Sequence, residues 1–326
     1  LVERNSVTSL RPEKTMRILV TGGAGFIGSH LVDKLIERQH EVSILDNLST
    51  GRKENLKPRA KFYQGDIRDK QVENLMKEQK PEILFHLAAQ INVRKSTEDP
   101  IFDNNVNVNG SLNLVSSFLK AGGRRIIFAS TGGVMYGEPE ILPTPETVEP
   151  FPLCPYGIAK LSVEKYLNYY HRYFPLSFCA LRFGNVYGPR QNAFSEAGVV
   201  AIFSVRLLRG QPAMIYGDGQ QTRDFVFIED VIQACLLVME KNVSGFFNVG
   251  TGRETSVNEI FQQVARWVGR PAIREYAPAR EGDIRRSCLS VEKIRQAFGW
   301  QARVPLEEGI KQTVAWFQRE EKAGRL

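Results

Sequence analysis

Tyr156 and Lys160 stand four residues apart in a stretch with helical patterning, so their side chains share one face. An unperturbed phenol, with a pKa of about 10, is too weak a base at neutral pH. A nearby positive charge favours the phenolate, and Tyr156 then reads as a general base toward a hydroxyl-bearing carbon. The pattern YxxxK is common by chance on surface helices. Its weight here comes from a second feature upstream, the run TGGAGFIG at 21–28. Gly22, Gly25 and Gly28 permit a tight turn and close backbone approach, and the helix that follows offers its N-terminus to a pyrophosphate. The two features together point to NAD and a reaction at a carbon that bears a hydroxyl. The positive nicotinamide would join the Lys160 ammonium in lowering the Tyr156 pKa.

These groups need elements to position them. Short apolar runs at 17–21, 41–46, 61–65, 83–86, 125–129 and 177–182 read as strands. Helices are expected at 26–38, with Ile27, Leu31 and Leu35 on one face, and at 103–119 and 157–173. Strands buried on both faces and separated by helices imply an α/β fold with a Rossmann-type, doubly wound parallel sheet over 16–183. Asp46 ends the second strand, where a carboxylate binds the adenosine ribose hydroxyls and repels a 2′-phosphate, which favours NAD. Asp66 and Ile67 follow the third strand and are placed to hold adenine. The run HLAAQ at 86–90 ends the fourth strand, so Leu87, Ala88, Ala89 and Gln90 let a cofactor lie close to the backbone.

Beyond Gly184 the regularity fails. Pro and Gly cluster at 186–191 and 215–219, and helices at 199–208 and 257–268 are separated by loops. A smaller, mixed α/β domain is expected over 184–326. The runs 225–228 and 245–249 read as strands that return to the first sheet.

Composition sets the outer bounds. A chain with 42% hydrophobic and 24% charged residues is an ordinary globular one, and no run approaches a membrane span of about 20 apolar residues. The net charge of +7 is scattered rather than gathered in a basic run, which argues against a nucleic-acid partner. The four cysteines and four histidines show no metal-ligand spacing, so no metal is expected. The cysteines read as free thiols of a reducing compartment, the cytoplasm. Residues 1–15 are polar and aperiodic and read as an extension outside the fold, with Met16 directly before the first strand.

The chain resembles the extended short-chain dehydrogenase/reductase family, and within it the UDP-glucose 4-epimerase group. The motifs are TGGAGFIGSH at 21–30, DNLSTG at 46–51, GDIRD at 65–69, HLAAQ at 86–90, NVNG at 107–110 and STGGVMYG at 130–137. They continue with YxxxK at 156–160, LRFGNVYGPRQ at 181–191, RDFVFIEDV at 223–231, NVGTG at 248–252 and REGDIRRS at 280–287. The resemblance implies further cofactor contacts from Phe26, Ile27, Asn47, Ser49, Thr50, Gly51 and Asn107. It implies that Tyr156 takes the proton of a sugar 4-hydroxyl while a hydride moves between C4 and NAD. Lys160 would also bind the nicotinamide ribose. Asn185, Val200, Arg223, Arg280 and Asp283 match positions around UDP, and Met214 and Tyr216 match positions that flank uracil. Two arginines suit a pyrophosphate gripped bidentately. The 184–326 part would then be mainly nucleotide-sugar-binding. A homodimer through the helices at 103–119 and 157–173 is also implied.

One position departs from the family. A Ser or Thr is typical four residues before the Tyr136-Gly137 pair, and here that residue is Gly132. Thr131, with Ser130, is expected to supply the hydroxyl; the alternative is water. The acids that 4,6-dehydratases and UDP-glucuronate decarboxylases carry in this segment are replaced by Gly132 and Gly133, which disfavours those reactions. The expected substrate pair is UDP-glucose and UDP-galactose. Ser287, small where some members carry Tyr, leaves room for an N-acetyl group, so UDP-N-acetylglucosamine stays open as an alternative or second substrate. UDP-glucuronate lacks the expected Arg at Asn192, although Arg190 lies near. A net nucleotide-sugar reductase is the remaining alternative.

Overall fold

The computed structural model describes residues 14–194, 198–280 and 282–326. Most of the expected extension, residues 1–13, lies outside them. Six strands and the helices between them come first. They are β1 (Arg17–Thr21), α1 (Phe26–Glu37), β2 (Glu41–Asp46), β3 (Lys61–Gln64), α2 (Gln71–Gln79) and β4 (Ile83–His86). Then follow α3 (Val93–Glu98), α4 (Pro100–Asn104), α5 (Gly110–Lys120), β5 (Arg125–Thr131), α6 (Pro155–Tyr173) and β6 (Ser177–Phe183). All six strands pair in parallel, joined by Gly245–Val249 beyond β6, in the order Gly245–Val249, β6, β5, β4, β1, β2, β3.

Alternation along each strand splits the core. Ile18, Val20 and Phe85 face one apolar cluster; Leu19, Leu84 and Phe128 face the other. The first cluster runs without a break from α1 into the helices Val199–Leu208, Ile228–Glu240, Val257–Val268 and Leu306–Lys322. The second is closed by α2, α5 and α6. The C-terminal part therefore shares the core of the sheet rather than standing apart from it.

Three expectations are corrected. The helix expected from 103 begins at Pro100, with Asp99 as its cap accepting the Phe102 N–H at 2.9 Å. It passes through a π-helical turn at Asn105–Asn109 into α5. Strand β5 extends to Thr131, two residues further than its apolar run. Of the two later strands, Gly245–Val249 enters the sheet, but Phe225–Phe227 pairs in parallel with Asn185–Tyr187 in a separate ribbon.

The chain order reverses between β1 and β4, which neighbour each other at the centre. At such a switch point the loops at the carboxyl ends diverge and leave a crevice. Gly22, Leu87 and Gly132 follow directly on β1, β4 and β5 at this edge.

Candidate active site

A cavity of about 600 Å³ opens at that edge. It gathers Thr131 and Gly133 from the end of β5, Cys154 and Tyr156 from the start of α6, and Asn185 from beyond β6. Arg223, Arg280 and Asp283 come from the C-terminal part, and Val93 and Arg94 from the start of α3. Six of the expected residues thus share one space: Thr131, Tyr156, Asn185, Arg223, Arg280 and Asp283. Arg223 donates to Asp283 at 2.5 Å.

Six expected catalytic and substrate residues are not among those lining the cavity: Ser130, Lys160, Val200, Met214, Tyr216 and Ser287. Ser130 points into the protein and donates to Glu164 at 2.6 Å, so its hydroxyl is already used. Val200 is fully buried in the core of its helix. Ser287 is buried, its N–H bonded to the Thr222 carbonyl, so the room expected from its small size is not cavity space. Met214 sits in the strand Ala213–Tyr216 away from the lining. Tyr216, in the same strand, is tied to the site through Arg280, whose guanidinium lies 3.7 Å from its ring centroid.

Cys154 precedes α6 and Pro155 occupies its first turn, where a missing N–H costs nothing. That start presents Tyr156 to the cavity and puts Lys160 one turn deeper. Lys160 is buried, donates to the Ala129 carbonyl at 2.9 Å, and lies 5.8 Å from the Tyr156 ring centroid. Burial draws its pKa down to about 8, against the pull of Asp103 and Glu164. Burial, with Asp103 and Cys154 nearby, pushes the Tyr156 phenol above its ordinary range. The expected lowering is therefore not achieved by Lys160 alone, and Tyr156 in the bare chain is a neutral phenol.

Gly22 has φ +70°, and a Cβ there would fall 2.8 Å from the Ala88 nitrogen. A Cβ at Gly28 would lie 2.1 Å from the Gly22 carbonyl oxygen. Only glycines allow this turn to lie so close to β4 and α1, and no side chain caps the first turn of α1. Phe26 and Ile27 open that helix with their amides at its positive end. The cradle has the shape and polarity for the NAD pyrophosphate. Asp46, buried at the end of β2, accepts the N–H of Ala24 at 3.0 Å and of Leu48 at 2.8 Å. Each carboxylate oxygen keeps a lone pair for a ribose hydroxyl. Asn47 donates to Asp66 at 2.9 Å, and Arg68 pairs with the same carboxylate, holding its pKa near 2. Ser49 and Thr50 are exposed beside Gly51, whose own Cβ would crowd Asp46.

The loop after β4 is held from the π-helical turn. Asn107 accepts the Gln90 N–H at 2.9 Å and donates to the Gln90 carbonyl at 2.9 Å. His86 locks the strands beneath. The Thr21 hydroxyl accepts from the amides of Leu87 and Ala88, so its own proton goes to His86 Nδ1 at 2.9 Å. Nε2 then carries the ring proton and donates to Ser111 at 2.8 Å. Burial draws the imidazole down to about 3, so it is neutral.

The NAD dependent epimerase/dehydratase family model matches residues 18–250. A UDP-glucose 4-epimerase of Mycolicibacterium smegmatis is 46% identical over 309 residues, which cover 93% of this chain and 99% of that one. The crystal structure of a Thermotoga maritima UDP-glucose 4-epimerase with UDP-glucose superposes with a TM-score of 0.92. It is 48% identical and covers 94% of this chain and 100% of that one. A Thermus thermophilus UDP-glucose 4-epimerase in complex with NAD gives a TM-score of 0.89 at 44% identity, with coverage of 93% and 99%. The chain belongs to the NAD-dependent epimerase/dehydratase family.

Within this epimerase/dehydratase member the departure at Gly132 has a steric cause. A Cβ on Gly132 would lie 2.4 Å from Cδ1 of Leu289, and the Gly132 N–H is bonded to the Phe183 carbonyl at 2.7 Å. Leu289 fills the space where a serine side chain would begin. The neighbouring Thr131 lines the cavity, and its hydroxyl has no protein partner among the described residues.

Among the charged residues described as lining the cavity, Arg94 is the one that sequence reasoning missed. Its only signal was position, eight residues beyond the end of β4 on the loop that must pass the cofactor crevice.

Proposed function

We infer that the protein is an NAD-dependent epimerase that inverts C4 of a UDP-hexose, exchanging UDP-glucose and UDP-galactose. The observation that carries this reading is the meeting of Thr131, Tyr156, Arg223 and Arg280 in one cavity at the carboxyl edge of the sheet. Gly22, Gly25, Gly28 and Asp46 fit NAD, with the amides of α1 at its pyrophosphate and the carboxylate at its adenosine ribose. The chemistry supplied by bound NAD is reversible hydride acceptance, which makes C4 trigonal and lets either face be re-formed. The chain's part is to hold the sugar and move its proton. Tyr156 accepts the 4-hydroxyl proton as C4 becomes a ketone and returns it when the alcohol re-forms. Thr131 orients that hydroxyl. Lys160 keeps positive charge behind the phenol, and the bound nicotinamide's charge adds what Lys160 alone does not provide. Arg223 and Arg280 hold the diphosphate, so the 4-keto hexose turns about its link to a fixed nucleotide.

The protein is further read as a homodimer through α4, α5 and α6. Ile158, Tyr166, Tyr169 and Tyr173 are exposed along α6, with Ile101 exposed on α4, and this apolar stripe needs a cover. No described helix is long and apolar enough to cross a membrane.

The test is direct. Purified protein with NAD is given UDP-glucose, and the products are resolved by proton NMR while absorbance at the NADH band is followed. UDP-galactose should form up to an equilibrium mixture without net NADH. No conversion of UDP-glucose, or stoichiometric NADH release, would sink the reading.

A further inference from the structure

Lys160 and Asp103 are both buried, 3% and 1% exposed, and neither is bonded to a group of opposite charge. The Lys160 ammonium donates to the neutral Ala129 carbonyl at 2.9 Å and stands 4.7 Å from the centroid of the Phe128 ring. One oxygen of Asp103 accepts from the side-chain amides of Gln90 at 2.7 Å and Asn107 at 3.0 Å. The other oxygen has no hydrogen-bond partner among the described residues. Buried charges left without an opposite charge are costly. Asp103 lies on α4, which packs with the π-helical turn against α6, the helix of Lys160. Lys160 favours the Asp103 carboxylate, and Asp103 favours the Lys160 ammonium. Glu164 pulls on Lys160 less strongly, and its carboxylate already answers Arg182 and the Ser130 hydroxyl. Tyr156, Cys154 and His86, the other titratable groups around the pair, are each uncharged at neutral pH. On α3, Arg94 lines the cavity, Lys95 lies over the Phe102 ring at 4.4 Å, and Glu98 is exposed.

We propose that Asp103 is a positioning residue, the buried counter-charge that holds Lys160 as an ammonium behind Tyr156. The proposal rests on the reading of Tyr156 as the base toward the UDP-hexose. Asp103 acts through space, because Gln90 and Asn107 pin its carboxylate with neutral amides that leave its charge uncancelled. Asn107 also fastens the loop after β4 through the Gln90 backbone, so the part that shapes the cofactor crevice also places the counter-charge. The same carboxylate disfavours the Tyr156 phenolate. Its two effects separate in pH. On the acid side, where Lys160 is charged in any case, Asp103 makes Tyr156 a weaker base. On the alkaline side it keeps the ammonium that Tyr156 needs.

The experiment uses the NAD-loaded protein with its lysines labelled at Nζ, followed by NMR across a pH titration; Lys160→Met identifies the Lys160 signal. Asp103→Asn keeps the shape and an oxygen for the Gln90 and Asn107 amides, and removes the charge. The Lys160 midpoint should fall by about one pH unit. The kcat/KM profile for the UDP-hexose should slide to lower pH by a similar amount. The variant gains on the acid limb, where Tyr156 ionises more easily, and loses on the alkaline limb, where Lys160 is neutral. Labelled at its carboxyl carbon, Asp103 should in turn titrate at higher pH in Lys160→Met than in the parent, a reading that needs no Asp103 variant to fold. Equal Lys160 midpoints in the parent and Asp103→Asn overturn the proposal, as does an Asp103 midpoint unmoved by Lys160→Met. Turnover lowered equally at every pH overturns it too, because Asp103 would then only fasten Gln90 and Asn107. A parent whose midpoints behave as expected but which converts no UDP-hexose overturns the epimerase reading instead and leaves the charge pair standing.

Discussion

Thr131 and Gly132 divide between them what one residue is expected to do. The hydroxyl stands on Thr131, which faces the cavity, while Gly132 gives up its side chain to Leu289. Thr131→Val keeps the shape and removes the hydroxyl. Turnover should fall by well over about tenfold, the scale of a lost active-site hydrogen bond, with Tm unchanged. Gly132→Ser should not rescue it. The new Cβ overpacks against Leu289, a strain of about 1–3 kcal/mol that urea denaturation would read as a lower midpoint. A Gly132→Ser, Thr131→Val protein with parent stability and parent turnover would refute the division. The sequence shows that position 132 is unusual but not why. Leu289 reaches it only through the fold, and no spacing rule connects the two. The same limit explains Ser130, Val200 and Ser287: their positions follow the motifs, but the direction of each side chain is set by neighbours remote in sequence.

At the scale of elements, a buried polar network stands directly behind the site. Arg182 of β6 donates to Glu164 of α6 at 2.6 and 3.0 Å, and Ser130 of β5 donates to the same carboxylate. Arg182 also donates to the Tyr136 hydroxyl at 2.7 Å, which donates to Asn248 in the edge strand Gly245–Val249 at 2.9 Å. Four elements that carry or flank Thr131 and Lys160 are thus fixed by one ion pair, with side chains 4% and 0% exposed. Glu164→Gln leaves Arg182 charged and buried. Stability should fall by about 3–5 kcal/mol, the usual cost of breaking a buried pair from one side. Replacing both residues by leucine should recover most of it, and chemical denaturation of the three variants checks the comparison. A loss below about 1 kcal/mol for Glu164→Gln would show that the pair does not hold these elements together. The elements themselves were largely legible: β1, β2 and β4 fall where apolar runs end and glycine or polar residues begin. The start at Pro100 was written in Asp99-Pro100, a cap followed by a residue suited to a first turn, yet helical periodicity alone placed it later. Pairing was less legible. The runs 225–228 and 245–249 look alike as sequence, yet Phe225–Phe227 pairs with Asn185–Tyr187 and Gly245–Val249 pairs with β6 in the sheet.

The whole molecule keeps its catalytic face and its apolar stripe on opposite sides of α6. Tyr169 lies nine residues after Lys160, about half a turn round the helix, so the buried lysine and the exposed tyrosine point apart. Tyr169 packs edge-on or tilted against Tyr170, Tyr173 and Phe174, with ring centroids 5.1 to 6.2 Å apart. Such a cluster is costly to leave in water and well suited to a twofold contact in which the same stripe meets itself. A glutamate in its centre would put like charges opposite each other across that axis. Tyr169→Glu should therefore shift the protein from dimer to monomer, read by sedimentation velocity over a range of concentrations. Because the substitution is remote from the cavity, kcat per protomer should stay within about threefold of the parent. A parent that sediments as a monomer, or a Tyr169→Glu protein that remains dimeric, would remove α6 from the interface. A large loss of kcat with intact assembly would instead mean that α6 transmits strain to Tyr156, which the buried Glu164–Arg182 pair one turn below Lys160 is placed to resist.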